Sequence, residues 1–272
     1  MLRNMTTRKR DESECQSAKT IAFVHHKGGT GKTTSALNIA GWLTKMKKKV
    51  LVIDLDPQGN ATTGLGVDRR AIDGSIYDVL FVQKDIREIV LETDSGIFLA
   101  PSSLDLLAAE THKFGQINNT GILRENLSSV ETYFDFILID LPPGSSLLVV
   151  TGIVASENII IPVDAGVFAY ETMENLKTFM VALDEELGVE ANIMMILLRG
   201  HSIPIFGAMR EVKKFLREFL TENNIPSVKI FTILFSHKIY KAQMRGMPIS
   251  HYAPHSIVGR VYKKIAAELL SH

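Results

Sequence analysis

A chain of 272 residues, 46% hydrophobic and 22% charged, can bury a full core and has the composition of an ordinary globular protein. Its single cysteine, Cys15, excludes an internal disulfide framework and a Cys-rich metal site. No apolar run reaches the roughly 18 residues of a membrane span, and the polar N-terminus does not read as a signal peptide, so a cytoplasmic location is expected. The zero net charge hides an asymmetry: from Arg199 onward there are 12 Lys/Arg against 4 Asp/Glu. Such a surplus marks a polyanion-binding surface or merely a solvated helical face.

Residues 1–18 are polar and without period, which predicts a tail. Thr20–Val24 reads as a short buried strand, followed by a Gly-rich turn and a helix over Thr34–Lys45 carrying Leu37, Ile39, Ala40 and Leu43. Val50–Ile53 is a second strand, ending on Asp54, and Phe136–Ile139 another, ending on Asp140. Further strands are expected at Asn158–Val163, Ile193–Leu198 and Lys229–Leu234. Helices are expected at Leu104–Glu110, Leu123–Tyr133, Tyr170–Leu187, Phe206–Asn223 and Ile257–Leu270. Continuous apolar strands alternating with helices predict an α/β fold: a mostly parallel twisted sheet with helices on both faces. No linker or repeat divides 19–272, so one domain is expected there.

Lys27-Gly28-Gly29-Thr30-Gly31-Lys32-Thr33-Thr34 leaves a predicted strand and opens a predicted helix, the context a phosphate-binding loop requires. Glycines let backbone N–H groups approach phosphates, and the helix N-terminus adds positive partial charge. In this pattern Lys32 serves the β/γ-phosphates, the Thr33 hydroxyl takes a magnesium position and Thr34 reaches the α-phosphate. The match is relaxed, because His26 stands where the first glycine usually falls. ATP is favoured as the nucleotide, since no Asn-Lys-x-Asp motif for guanine is present.

A second lysine at the front of the loop, Lys27, resembles the deviant Walker A motif of the ParA/MinD family of dimerising ATPases, P-loop NTPases of the SIMIBI class. The resemblance implies that Lys27 crosses a homodimer interface and neutralises charge on the partner's transferred phosphoryl. Asp54-Leu55-Asp56-Pro57-Gln58-Gly59-Asn60-Ala61-Thr62 looks like the ParA switch I, which places Asp56 on the attacking water and Asp54 near the magnesium. The strand ending on Asp140 fits Walker B, a further magnesium position, and Pro142-Pro143-Gly144 is similar to switch II. Ile159–Val163 resembles the strand before the family's interface helix, and Gly246-Met247-Pro248 its Gly-Lys-Pro.

Two departures concern the base. Where the family presents a polar Thr or Asn this chain has Arg199-Gly200, and in place of Pro-Arg-Asn it has Leu234-Phe235-Ser236. Those loops touch adenine in the family. The resemblance further implies sequence-independent binding of double-stranded DNA in the ATP state, a ParB-like activating protein, nucleoid association and a role in plasmid or chromosome segregation. Lys241, Arg245 and Arg260 are the candidate DNA contacts, with Arg210, Lys213, Lys214 and Arg217 able to share one helical face. A MinD-like membrane regulator needs an amphipathic tail, whereas Val258, Val261, Ile265, Ala266 and Leu269 make a packing stripe. Stable membrane binding is therefore not expected. Paired cysteines of an iron–sulfur carrier are absent, and too few residues precede Thr20 for a helix-turn-helix domain. Relatives with the same cycle position other cargoes, which the sequence does not separate.

Overall fold

A computed structural model describes residues 17–107, 120–166, 169–200, 206–225 and 227–271. Its strands are β1 (Lys19–Phe23), β2 (Val50–Asp54), β3 (Leu91–Glu92), β4 (Phe98–Ala100), β5 (Phe136–Asp140), β6 (Asn158–Asp164), β7 (Asn192–Arg199) and β8 (Lys229–Ile233). The helices are α1 (Lys32–Lys45), α2 (Asn60–Gly64), α3 (Ile76–Phe81), α4 (Ile122–Leu127), α5 (Leu147–Val154), α6 (Ala169–Leu187), α7 (Phe206–Glu222), α8 (His237–Gln243), α9 (Ile249–Tyr252) and α10 (Ile257–Leu269). The helix expected at Leu104–Glu110 runs partly outside the described residues, as does all of the predicted tail up to residue 16. Ala18, assigned to that tail, is buried and donates its N–H to the Glu131 carbonyl, so the packed chain starts before the sequence signal does. The helix expected to reach Tyr133 stops at Leu127 and continues as turns.

The strands form one sheet in the order β3-β4-β2-β5-β1-β6-β7-β8, parallel except for the short β3–β4 pair. Apolar residues on both sides of each central strand explain this architecture, because both faces need cover. Ala22, Leu51, Ile53, Ile137 and Ile139 face one core with Leu148 and Ile153 of α5, Met173 and Leu176 of α6, and Leu216 of α7. Ile21, Phe23, Val52 and Leu138 face the other, beneath Leu37, Ile39 and Leu43 of α1 and Val258, Tyr262, Ile265 and Leu269 of α10. The apolar stripe of α10 is thus covered by the protein's own sheet and α1. Among the described residues no helix is long and apolar enough to cross a membrane.

β1 lies between β5 and β6, while the chain goes first to β2 beyond β5 and only later to β6. Strand order therefore reverses about β1, and the crevice this opens lies at the carboxyl ends of the strands. Register there sets Asp140 beside Phe23 on one side and Asp54 on the other.

The C-terminal segment closes onto α1 through small residues. Gly246, at φ +61°, lies against Gly66; a Cβ at Gly246 would stand 2.5 Å from the Gly66 Cα. Pro248 precedes α9 and sits over Gly41, where a Cβ would stand 2.4 Å from the proline Cγ. The Ile249 N–H then donates to Asn38 Oδ1 at 2.6 Å. Gly41→Ala is expected to lower stability by about 1–3 kcal/mol through overpacking. That loss comes despite the roughly 1 kcal/mol by which alanine normally favours a helix over glycine. A thermal melt at or above the parent's would show that this contact does not constrain α1.

Candidate nucleotide site

Between β1 and α1 the backbone needs conformations that L side chains resist. Gly29 and Gly31 have φ of +78° and +92°, where glycine alone is free of strain. Gly31 is the N-cap of α1 and supplies no side-chain cap, and the first turn of α1 holds no acidic residue. The leading N–H groups and positive end of a 14-residue helix are thus left for an external anion. Thr30 is buried, and its hydroxyl donates to the Lys27 carbonyl at 3.3 Å.

Lys32 is 5% exposed, with Nζ donating to the His25 carbonyl at 3.2 Å and the Lys27 carbonyl at 3.5 Å. Burial lowers its pKa, opposed by the nearby carboxylates of Asp140 and Asp56. His25 is pushed down to about 4, chiefly by burial and then by Lys32. It is neutral, as its Nδ1 must be to accept the Lys27 N–H at 2.9 Å. Lys27 itself is exposed at the entrance of the loop.

The carboxylates come from two adjacent strand ends. Asp54 is fully buried; one oxygen accepts from the Thr62 N–H at 2.7 Å and the Thr62 hydroxyl at 2.6 Å, the other from the Asp56 N–H at 3.2 Å. Burial nevertheless raises its pKa to about 6. Asp140 is also fully buried and has neither oxygen in a hydrogen bond. The Thr33 hydroxyl is near enough to pull its pKa down but falls outside hydrogen-bond geometry. Burial first, then the charge of Asp54, drives Asp140 well above the usual carboxylate range. Two fully buried carboxylates on adjacent strand ends, each raised first by burial, would be favoured in their charged form by a cation. Among the described residues no group of three His, Cys, Asp or Glu could hold a metal alone. Asp54, Asp140 and the Thr33 hydroxyl are hard oxygens of the kind that could hold magnesium together with phosphates.

Asp56 follows β2 and is 7% exposed. Burial raises its pKa, against the Gln58 N–H, which it accepts at 2.9 Å, and against Lys32 and Arg69. Arg69 fixes this loop: its two terminal nitrogens donate to the Pro57 and Gln58 carbonyls at 2.7 Å each. Gly59, at φ +65°, leaves the space its guanidinium fills. Ser102 ties both carboxylate segments together, donating its hydroxyl to the Asp56 carbonyl at 2.8 Å and its N–H to Thr62 Oγ1 at 3.0 Å.

A cavity of about 510 Å³ is lined by Gly28, Gly31, Lys32, Thr33, Thr34 and Asp56, together with Pro143, Arg199 and Gln243. Gln243 of α8 donates to Thr34 Oγ1 at 3.2 Å. Gly144, at φ +95°, donates its N–H to the His26 carbonyl at 2.8 Å and so joins the β5 turn to the loop.

The structure brings together Lys32, Thr33, Thr34 and Asp56 in one cavity, with Asp54 and Asp140 beneath it. Similarity to known proteins extends over most of the chain. An AAA-domain family model matches residues 18–194. The chain is 30% identical to the sporulation initiation inhibitor protein Soj of Bacillus subtilis, over 93% of this chain and 99% of that protein. It is 31% identical to the chromosome-partitioning ATPase Soj of Treponema pallidum, over 93% of this chain and 97% of that one. The chain belongs to the ParA/MinD family, in its Soj-like branch. Its fold is also similar to that of a single-substitution variant of McdA from Cyanothece, solved as an ATP complex, with a TM-score of 0.77 at 23% identity over 93% and 97% of the two chains.

Two segments stand where the family's adenine loops fall. Leu234 and Phe235 are 42% and 48% exposed, and neither is among the residues lining the cavity, while Ser236 N-caps α8. Arg199, a departure from the family at its base-contacting position, sends its guanidinium to the loop before α1, donating to the Gly29 carbonyl at 2.6 Å. Sequence reasoning missed Gln243 in the cavity lining, Arg69 and Ser102 as supports of the Asp56 loop, and the contact of Arg199 with Gly29, and gave Thr62 no role of its own. Lys241, Arg245 and Arg260 are all exposed, on α8, the turn after it and α10. Arg245 lies 5.1 Å from the Tyr252 ring centre, and Arg260 donates to the His255 carbonyl at 2.9 Å.

Proposed function

We propose that residues 19–272 form a partition ATPase that takes ATP with magnesium, pairs with a second copy in that state, and then holds double-stranded DNA without reading its sequence. The observation that carries the nucleotide part is the N-terminus of α1, without a side-chain cap and opening on Lys32 and Thr33, together with the buried Asp140, whose oxygens accept no hydrogen bond. Thr33, Asp54 and Asp140 would hold the magnesium, which when bound neutralises phosphate charge. Gly28–Thr34 cradle the phosphates, and Lys32 balances the charge shed toward the leaving phosphate. Asp56, on a loop pinned by Arg69, orients the water that attacks the γ-phosphate. Lys27, exposed at the mouth, completes the partner's site. A ParB-like activator accelerates turnover and releases the dimer from the nucleoid in the cytoplasm, in plasmid or chromosome segregation.

Lys241, Arg245 and Arg260 are the proposed DNA contacts, because phosphate recognition needs exposed cations and no base edges. A membrane-regulator reading draws less support, since the apolar stripe of α10 is covered by α1 and the sheet. The test is retention of plasmid DNA at moderate salt. Binding is expected with ATP and not with ADP, falling steeply as salt rises. Equal binding in the two states, or none in either, would sink the partition reading.

A further inference from the structure

We propose that Arg199 is a polyphosphate-binding residue of the nucleotide site, a guanidinium that β7 supplies to the phosphate loop of its own chain. The role follows only if the cavity takes ATP, as proposed for its function. Arg199 is the last residue of β7, in register with Asp164 of β6 and Ile233 of β8. Its carbonyl accepts the Ala165 N–H at 2.8 Å, so its backbone is fixed on both sides. The side chain reaches past the end of β6 to the loop. Nη1 donates to the Gly29 carbonyl, and a Cβ at Gly31 would stand 2.7 Å from Nη1 and 2.8 Å from Cδ. Arg199 therefore lies against the N-cap of α1 and lines the same cavity as Lys32, Thr33 and Thr34.

Electrostatics argue against a cation there unless an anion joins it. The N-terminus of α1 is a positive pole, and the ammonium of Lys32 belongs to the same cavity. Asp164 offers only a 3.8 Å ion pair, with its side chain 31% and that of Arg199 28% exposed. Such a pair contributes little. A neutral carbonyl gives one further hydrogen bond. Asp56 and Asp140 act on the Lys32 ammonium, whereas Arg199 at the helix N-terminus is left with that long ion pair and a carbonyl, and a phosphate chain would supply the negative charge it is short of. Guanidinium suits it better than lysine, because its planar donors can take two oxygens at once.

The experiment uses the full chain with magnesium and a fluorescent ADP analogue, displaced by ATP and, separately, by inorganic tripolyphosphate. Arg199→Met removes the charge while keeping an unbranched side chain of similar reach. It is expected to weaken both competitors by the same factor, about ten- to a hundredfold. Arg199→Lys should recover part of that loss for both. Should the methionine variant fail to fold, the lysine variant carries the comparison, with a smaller but equal loss for the two competitors. Unchanged affinity for ATP would overturn the proposal. So would weakened ATP with unchanged tripolyphosphate, since Arg199 would then be reading the adenosine. A parent chain that binds neither ATP nor the fluorescent ADP would overturn the ATP reading itself.

Discussion

Lys32→Ala is expected to abolish nucleotide binding, with affinity for ATP and magnesium falling at least about a hundredfold. A charge-assisted hydrogen bond contributes about 1.5–3 kcal/mol, and Lys32 is placed to make more than one. Its ammonium is already largely desolvated, held by the carbonyls of His25 and Lys27. Moving onto a phosphate therefore exchanges weak neutral acceptors for charged ones without a large further loss of water. The same ammonium favours ionisation of Asp140 and Asp56. Without it Asp140 is held less firmly in the charged form that magnesium needs, so metal binding is expected to weaken with that of the nucleotide. Stability should fall little, because alanine suits a helix and removes a buried charge. Titration with a fluorescent ATP analogue reads the binding, and a melt checks the fold. Affinity within about threefold of the parent would remove Lys32 from the site.

The sheet was legible because its central strands are apolar on both faces. The strands expected around Val50–Ile53, Phe136–Ile139, Asn158–Val163 and Ile193–Leu198 all form, each extended by a polar residue at its carboxyl end. Those added residues, Asp54, Asp140, Asp164 and Arg199, stand at the crevice. The elements that sequence missed are short. Helices α2, α3, α8 and α9 span 5, 6, 7 and 4 residues, too few for a helical period to repeat, and α5, with 8 residues, is apolar almost all round and shows no period. Strands β3 and β4 offer 2 and 3 residues.

The site divides along the same line. Lys32, Thr33, Asp54, Asp56 and Asp140 were visible because each follows or ends a recognisable strand. The contact of Arg199 was not, since it meets Gly29 across 170 residues and no local pattern reports so distant a contact. Arg69 is a similar case. It lies in a charged stretch, Asp68-Arg69-Arg70, that reads as ordinary surface. Only the fold shows one arginine turned onto the Pro57 and Gln58 carbonyls while its neighbour pairs locally with Asp68.

Asp56→Ala should separate binding from turnover: ATP affinity within about threefold of the parent, hydrolysis reduced at least about a hundredfold, and an ATP-bound dimer that persists. Asp56 can be removed without dismantling its loop, because the loop is held by other bonds. Arg69 grips the carbonyls of Pro57 and Gln58, Ser102 grips the carbonyl of residue 56 itself, and Thr62 binds Asp54 independently. The substitution forfeits the hydrogen bond that the carboxylate accepts from the Gln58 N–H. Against that loss, it relieves a charge that burial already disfavours. Loss of activity would then reflect the missing water-orienting group rather than a collapsed switch. Size-exclusion chromatography with ATP, set beside phosphate release with and without an activator, reads both arms. Parental turnover in Asp56→Ala would assign the attacking water to another residue; loss of ATP binding would make Asp56 part of the cradle.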